Sequence, residues 1–225
     1  MRAVGMIPAR PAAILFDMDG LLLDTERLIR DVMIAVMAEM GFAMDDADYA
    51  QLIGRPETDT AAVMQARFGA GLDYDEVRQR VARRLHDRHG DHRPLKPGAT
   101  ALLAQVNAAG IPAAVVTSTE QAQARAHLAA AELLPFFVTI IGGDDVANGK
   151  PHPEPYATAA ARLGIAPGAA LALEDSHNGI MAAHAAGVPV IMVPDLLPVT
   201  PDIRPRVLAV ADDLITVSRW LAAAA

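Results

Sequence analysis

Cysteine is absent from all 225 residues, which excludes a disulfide framework and thiol catalysis and fits a reducing compartment. No uncharged apolar run reaches membrane-spanning length, and the first ten residues, MRAVGMIPAR, lack the continuous apolar stretch of a secretion signal. A soluble, cytoplasmic protein is the expectation. An excess of positive charge is also missing. The 19 Lys and Arg against 27 Asp and Glu leave a formal charge of −8, which argues against nucleic acid or an anionic membrane as partner. An anionic small molecule would have to be drawn in by a local cation or a metal against that field. There is no internal repeat, and no low-complexity tract beyond the final AAAA, which reads as frayed. What is present is 52% hydrophobic residues, enough for one large domain or a core with a smaller inserted unit.

Period-two alternation is scarce in the apolar runs. Residues 13–16, 113–116, 138–141, 170–173 and 188–193, and more weakly 207–210, read as strands buried on both faces. Helix-like stretches at 99–109, 121–131, 155–163 and 179–186 separate them, with Gly110, Gly164 and Gly187 where helix C-terminal glycines belong. This alternation predicts an α/β fold, a Rossmann-like doubly wound parallel sheet with helices on both faces. From about Glu26 to Arg93 no buried strand is evident, only amphipathic segments rich in Arg, Asp and Glu. The economical reading is an all-α cap inserted at residues 26–95, with the core formed by 11–25 and 96–225 and two connections acting as a hinge.

In an open parallel sheet, ligands bind beyond the carboxyl ends of the strands. Residues following the expected strands are therefore informative. The first delivers Asp17 and Asp19 in FDMDGLLLDTE, the second Thr117, Ser118 and Thr119, and the fourth Glu174-Asp175-Ser176. After the third comes GGDDVANGKPHPEPY, carrying Lys150. Taken singly, each has a plain structural explanation: an Asp-Gly turn, a helix cap, a solvated lysine, a capping pair of acids. Their convergence on one sheet edge favours function. A carboxylate nucleophile needs no general base, and a neighbouring acid can protonate the leaving alkoxide and then deprotonate water. Lys150 and the Thr117 hydroxyl would grip the transferring phosphoryl oxygens, and hard oxygen ligands suit Mg²⁺.

DMDG at 17–20, VVTST at 115–119, GKPHPEPY at 149–156 and LEDSHNGI at 173–180 resemble the motifs of the haloacid dehalogenase superfamily, in its subgroup with a helical cap after the first strand. The resemblance runs from about Pro11 to Asp213. It implies that Asp17 is the nucleophile and Asp19 the acid/base. It also implies that Thr117 and Lys150 bind phosphoryl together with Gly20 and Ser118. Asp175 would be a metal ligand with Asp17 and the Asp19 carbonyl, and Glu174 a direct or indirect metal partner. Metal-free dehalogenation would leave Asp19, Glu174 and Asp175 surplus. Schiff-base phosphonoacetaldehyde hydrolysis requires a cap lysine, whereas the two lysines here, Lys96 and Lys150, both lie outside the cap. β-Phosphoglucomutase shares every core motif, but its pattern places a histidine four residues beyond the threonine matching Thr25, where this chain has Ile29.

The expectation is a Mg²⁺-dependent phosphatase of small organic monoesters, sugar or nucleoside phosphates, with a phosphotransferase of the mutase type or a non-catalytic binding protein as alternatives. A monomer is expected, with a dimer left open. Arg55, in the cap segment QLIGRPETD, is the candidate for leaving-group specificity, or else a solvated loop arginine. Arg80, Arg84 and Arg88 could line a basic face but read more simply as solvated. His86, His89 and His92 resemble a metal spacing without sitting in a metal-site context.

Overall fold

The computed structural model describes residue 7 and residues 10–53, 57–90 and 92–224. Six strands, β1 (Ala13–Phe16), β2 (Ala113–Val116), β3 (Thr139–Ile141), β4 (Ala170–Glu174), β5 (Val190–Met192) and β6 (Ala209–Val210), form one sheet in the order β3-β2-β1-β4-β5-β6. Every pairing is parallel. Sequence and structure agree on the strand positions within a few residues, because each strand is covered on both faces. Side chains alternate between two apolar layers. Ile14, Phe16, Leu171 and Leu173 join one layer, and Leu15, Ala114, Ala170 and Ala172 the other.

Helices α1 (Thr25–Glu39), α2 (Asp46–Ala50), α3 (Glu57–Phe68) and α4 (Tyr74–His89) lie between β1 and β2 in sequence. They bury their own apolar cluster, including Val36 and Met37 of α1, Met64 of α3 and Val77 of α4. Asp73 caps α4 by accepting from the Glu76 amide at 3.0 Å. The linkers entering and leaving this segment touch: Leu23 pairs antiparallel with Leu95, and the Asp24 amide donates to the Pro94 carbonyl at 2.8 Å.

Helices α5 (Ala99–Ala108), α6 (Gln121–Ala130), α7 (Glu154–Arg162), α8 (His177–Ala185) and α9 (Leu214–Ala223) flank the sheet. Helices α5, α6 and α9 contribute Leu102, Leu128 and Val217 to one layer, while α7 and α8 contribute Tyr156 and Ile180 to the other. Gly110, Gly164 and Gly187 sit just past their helices at φ of 65°, 69° and 76°, the left-handed region that ends a helix without a Cβ clash. Helix α9 goes beyond the sequence expectation, and it runs through Ala222 and Ala223 rather than fraying there. Asp213 secures its start by accepting from the Thr216 amide at 2.7 Å. Two strand ends shift as well. Val138 is 68% exposed and lies outside β3, while β4 continues through Glu174.

Candidate active site

Asp17 follows β1, between β2 and β4 in the sheet, and its amide still continues the ladder to Leu173 O at 3.0 Å. The chain then reverses at Gly20, whose φ of 84° and lack of a side chain are both required, since a Cβ there would collide with Asp175 Oδ2. Gly20 therefore lets the loops after β1 and β4 approach each other. Asp17, Asp175 and Thr117 are all buried.

Lys150, from the loop after β3, is 3% exposed. Its ammonium donates to Asp17 Oδ1 at 2.5 Å, Glu174 Oε1 at 2.6 Å and Val116 O at 2.9 Å. All three donors of the ammonium are used. Burial acts to lower the Lys150 pKa, but the Asp17 and Glu174 carboxylates more than reverse this and hold it above its ordinary value. Lys150 is a fixed charge.

Glu174 is sealed from solvent. Because β4 extends through it, strand alternation turns its side chain to the layer of Ala170 and Ala172 and away from the open rim. There Oε1 also accepts from the Tyr156 hydroxyl at 2.8 Å, and Oε2 accepts from the amides of Asp175 and Ser176 and from Ser176 Oγ. A Cβ at Gly179, in the first turn of α8, would overlap this carboxylate.

Asp19 is held by three hydroxyls, two of which the sequence motifs leave unassigned. Thr25 Oγ1 donates to Oδ1 at 2.8 Å and Thr119 Oγ1 to Oδ2 at 2.8 Å, with Thr117 Oγ1 at 3.4 Å from Oδ2. The Thr119 amide in turn donates to Thr117 Oγ1 at 3.1 Å. Thr25 opens α1, so the first residue of that helix orients the acid that follows β1. An apolar-turn-polar pattern offers no signal for that.

Among the described residues, Asp17, Glu174 and Asp175 bring a carboxylate oxygen each within 4.8 Å of one another. Burial, then repulsion from Glu174 and Asp19, pushes the Asp17 pKa up against the pull of Lys150. Burial, then Asp17, Glu174 and Glu26, does the same for Asp175. So many desolvated acids around one ammonium leave a deficit of positive charge. At an effective dielectric of about 20, one unit charge at 4 Å is worth on the order of 4 kcal/mol. An all-oxygen donor set with that deficit fits a hard divalent cation.

Asp17, Asp19, Thr117, Lys150 and Asp175 open onto a cavity of about 620 Å³, lined on its other side by residues of α1, α2, α3 and α4. Ser118 is exposed on its rim. Helix α4 faces the cavity with Arg78, Val81, Ala82, Leu85 and His86, positions that share one helical stripe. Arg80 and Arg84 lie elsewhere, the first exposed and the second half-buried, paired with Glu76 and Glu39. The basic row at 80, 84 and 88 is thus solvated, and Arg78, which carries no motif, is the residue that faces inward. His86, His89 and His92 form no metal-holding group among the described residues. Arg55 lies outside the described residues.

Glu26, equally silent in the sequence, lines the cavity and accepts from Tyr49 of α2 at 2.8 Å. Burial pushes its pKa up to about 7; the Tyr49 bond opposes this, and the charges of Asp19 and Asp195 add to it. A raised acid is bound to its proton more tightly in the folded state, so its contribution to stability is full below the unfolded value of 4.5 and is lost as pH rises to about 7. Urea melts of the metal-free protein should therefore show wild type losing on the order of 2 kcal/mol relative to Glu26→Gln across that window. Parallel stability curves for the two proteins would refute the assignment.

A six-stranded parallel sheet with buried acids gathered where its strands end defines an α/β protein with its candidate site at that edge. The family model for haloacid dehalogenase-like hydrolases matches residues 14–193, and the chain belongs to that family. It stands among the family's phosphatases. The chain is 34% identical over 174 residues to validoxylamine A 7′-phosphate phosphatase of Streptomyces hygroscopicus subsp. limoneus, covering 77% of this chain and 81% of that one. To the phosphorylated carbohydrates phosphatase of Thermotoga maritima it is 30% identical over 176 residues, covering 78% and 82%. Among solved structures, CbbY from Rhodobacter sphaeroides in complex with phosphate superposes with a TM-score of 0.74 at 29% identity, covering 91% of this chain and 95% of that one.

Proposed function

We propose that this chain is a Mg²⁺-dependent phosphatase of small organic monoesters, sugar or nucleoside phosphates, acting through a phosphorylated Asp17. The observation that carries the reading is the meeting of Asp17, Asp19, Thr117, Lys150 and Asp175, from the ends of four strands or the loops after them, at one cavity. Relatives named for phosphorylated carbohydrates and for validoxylamine A 7′-phosphate support the substrate class.

Asp17 Oδ attacks phosphorus, the ester oxygen leaves, and Asp19 protonates it; Asp19 then takes a proton from the water that cleaves the acyl phosphate. Its three hydroxyl partners hold Asp19 in line for both transfers. Lys150 exchanges its bond to Asp17 for one to a phosphoryl oxygen, assisted by Thr117, Ser118 and the Gly20 turn. Asp17, Asp175 and the Asp19 carbonyl would hold Mg²⁺. Glu174, its oxygens already occupied by Lys150, Tyr156 and the Ser176 turn, braces that set from below. The bound ion would offset the repulsion between the attacking carboxylate and the anionic ester.

Residues 26–95 act as a cap domain on the core of 11–25 and 96–225, closing the cavity against water. A chain without cysteine suits a reducing compartment, and we place the enzyme in the cytoplasm, as a monomer. No helix of the described residues is long and apolar enough to cross a membrane. Purified protein with Mg²⁺ should release phosphate from a panel of sugar and nucleotide monoesters, and EDTA should lower the rate at least about 100-fold. Unchanged turnover in EDTA would defeat the metal. Isomerised product without free phosphate would mark a mutase and overturn water as acceptor, a role inferred from Ile29, which lines the cavity without a proton-transfer group.

A further inference from the structure

We infer that Arg93 receives a second anionic group, a phosphate or a carboxylate, carried by the leaving group of the substrate. This rests on the phosphatase reading and narrows it to doubly anionic esters.

Arg93 is 8% exposed and lines the same cavity as Asp17 and Asp19. Its Nη1 donates to Gly90 O and His92 O, both at 2.9 Å. These carbonyls are neutral, and the end of α4 that they extend supplies about half an elementary charge. No carboxylate among the described residues pairs with the guanidinium. Other arginines of the cap segment are paired although they are more exposed: Arg27 with Asp195, Arg67 with Asp48, Arg84 with Glu39. Buried charges are ordinarily paired, so the buried guanidinium of Arg93 needs an acid that the described residues do not supply. With Nη1 engaged, the Nε–Nη2 edge remains, and that edge can grip an oxyanion through two parallel hydrogen bonds.

The position suits a substrate of modest length. Leu23 bridges to Asp19 on one side and to Leu95 on the other, and Arg93 lies two residues before Leu95. Two ladder steps of about 5 Å each put the Leu95 backbone on the order of 10 Å from Asp19, and Arg93 reaches the same cavity from that linker. A short-chain ester with an anion at each end is the substrate shape this implies.

The test compares full-length wild type, Arg93→Gln and Arg93→Lys with Mg²⁺ on three esters: p-nitrophenyl phosphate, fructose 1,6-bisphosphate and 6-phosphogluconate. Wild type should favour the doubly anionic esters in kcat/KM. Arg93→Gln should shrink that preference by about 10- to 100-fold, chiefly through KM, and Arg93→Lys should restore part of it. Whichever doubly anionic ester loses more identifies the anion as phosphate or carboxylate. If Arg93 merely caps α4, all three esters shift together, the preference ratio is preserved, and the inference is overturned. Calorimetric binding of the same two dianionic esters to Asp17→Asn, with and without Arg93→Gln, reads the contact independently of turnover. Weaker binding in the double variant supports the assignment, and equal binding overturns it. Phosphate release from none of the three esters by wild type would defeat the phosphatase reading and leave this binding comparison to decide Arg93.

Discussion

Asp17→Asn is expected to lower kcat by about 10⁴-fold or more in a protein that is no less stable than wild type when metal-free. The two halves of this prediction have separate causes. Asparagine matches the shape of aspartate but has no carboxylate to form an acyl phosphate, so the covalent route is closed rather than slowed. The stability half follows from crowding. Asp17 is buried beside Glu174, Asp175 and Asp19, and burial and that repulsion push its pKa up. A neutral amide relieves the repulsion, and Lys150 keeps Glu174 Oε1 and Val116 O as acceptors. Mg²⁺ should raise the melting temperature of wild type and have a smaller effect on the variant, which has lost one ligand charge. Rapid-quench phosphate release, mass spectrometry of acid-quenched wild type for a phosphoryl adduct on Asp17, and melts in EDTA and in Mg²⁺ read these effects. A variant keeping more than about 1% of wild-type kcat, or an adduct on another residue, would end the nucleophile assignment.

The parts of the site legible in the sequence are those where one local rule determines the outcome. Strands 13–16 and 113–116 show no alternation because helices cover both faces, and that one fact announces a parallel sheet whose strand ends carry function. Gly110, Gly164 and Gly187 are legible because no other residue ends a helix in that conformation as readily. Glu174 is harder. Whether β4 stops before it or continues through it decides which way its side chain points, and the sequence marks neither end. One residue more of strand turns a presumed rim acid into a brace beneath the rim. Thr25 and Glu26 owe their roles to α1 lying beside the strand ends, and Thr119 to the loop after β2 meeting Asp19; nothing local distinguishes them from ordinary helix or turn residues. Val138 misleads through composition alone: its apolar side chain sits at an exposed strand entrance. Helix α9 begins Leu214-Ile215-Thr216-Val217, a β-branched run that masks a helix anchored by Asp213. Arg93 is another such case, since burial of an arginine is a property of the fold around it.

Lys150→Met should destabilise the metal-free protein by about 3–5 kcal/mol, the usual cost of stranding a buried charge, and should lower kcat at least about 100-fold where the protein remains folded. Methionine nearly fills the same volume, so the loss is electrostatic. It orphans Val116 O and leaves the Asp17 and Glu174 carboxylates facing each other without the ammonium that separates them. An electrostatic loss can be rescued by removing charge. Adding Glu174→Gln takes away the deeper of the two stranded charges, and the amide can still accept from the Tyr156 hydroxyl and from the Ser176 turn. The double variant should therefore recover a large part of the lost stability while remaining inactive, because the ammonium that meets the phosphoryl oxygens is gone. Urea melts of wild type, both single variants and the double variant form a cycle whose coupling should amount to about 2 kcal/mol or more. Additive losses would mean that Lys150 contributes packing rather than charge. Recovery of turnover along with stability would remove it from phosphoryl binding, since a lysine needed only to keep acids apart becomes dispensable once one acid is neutral.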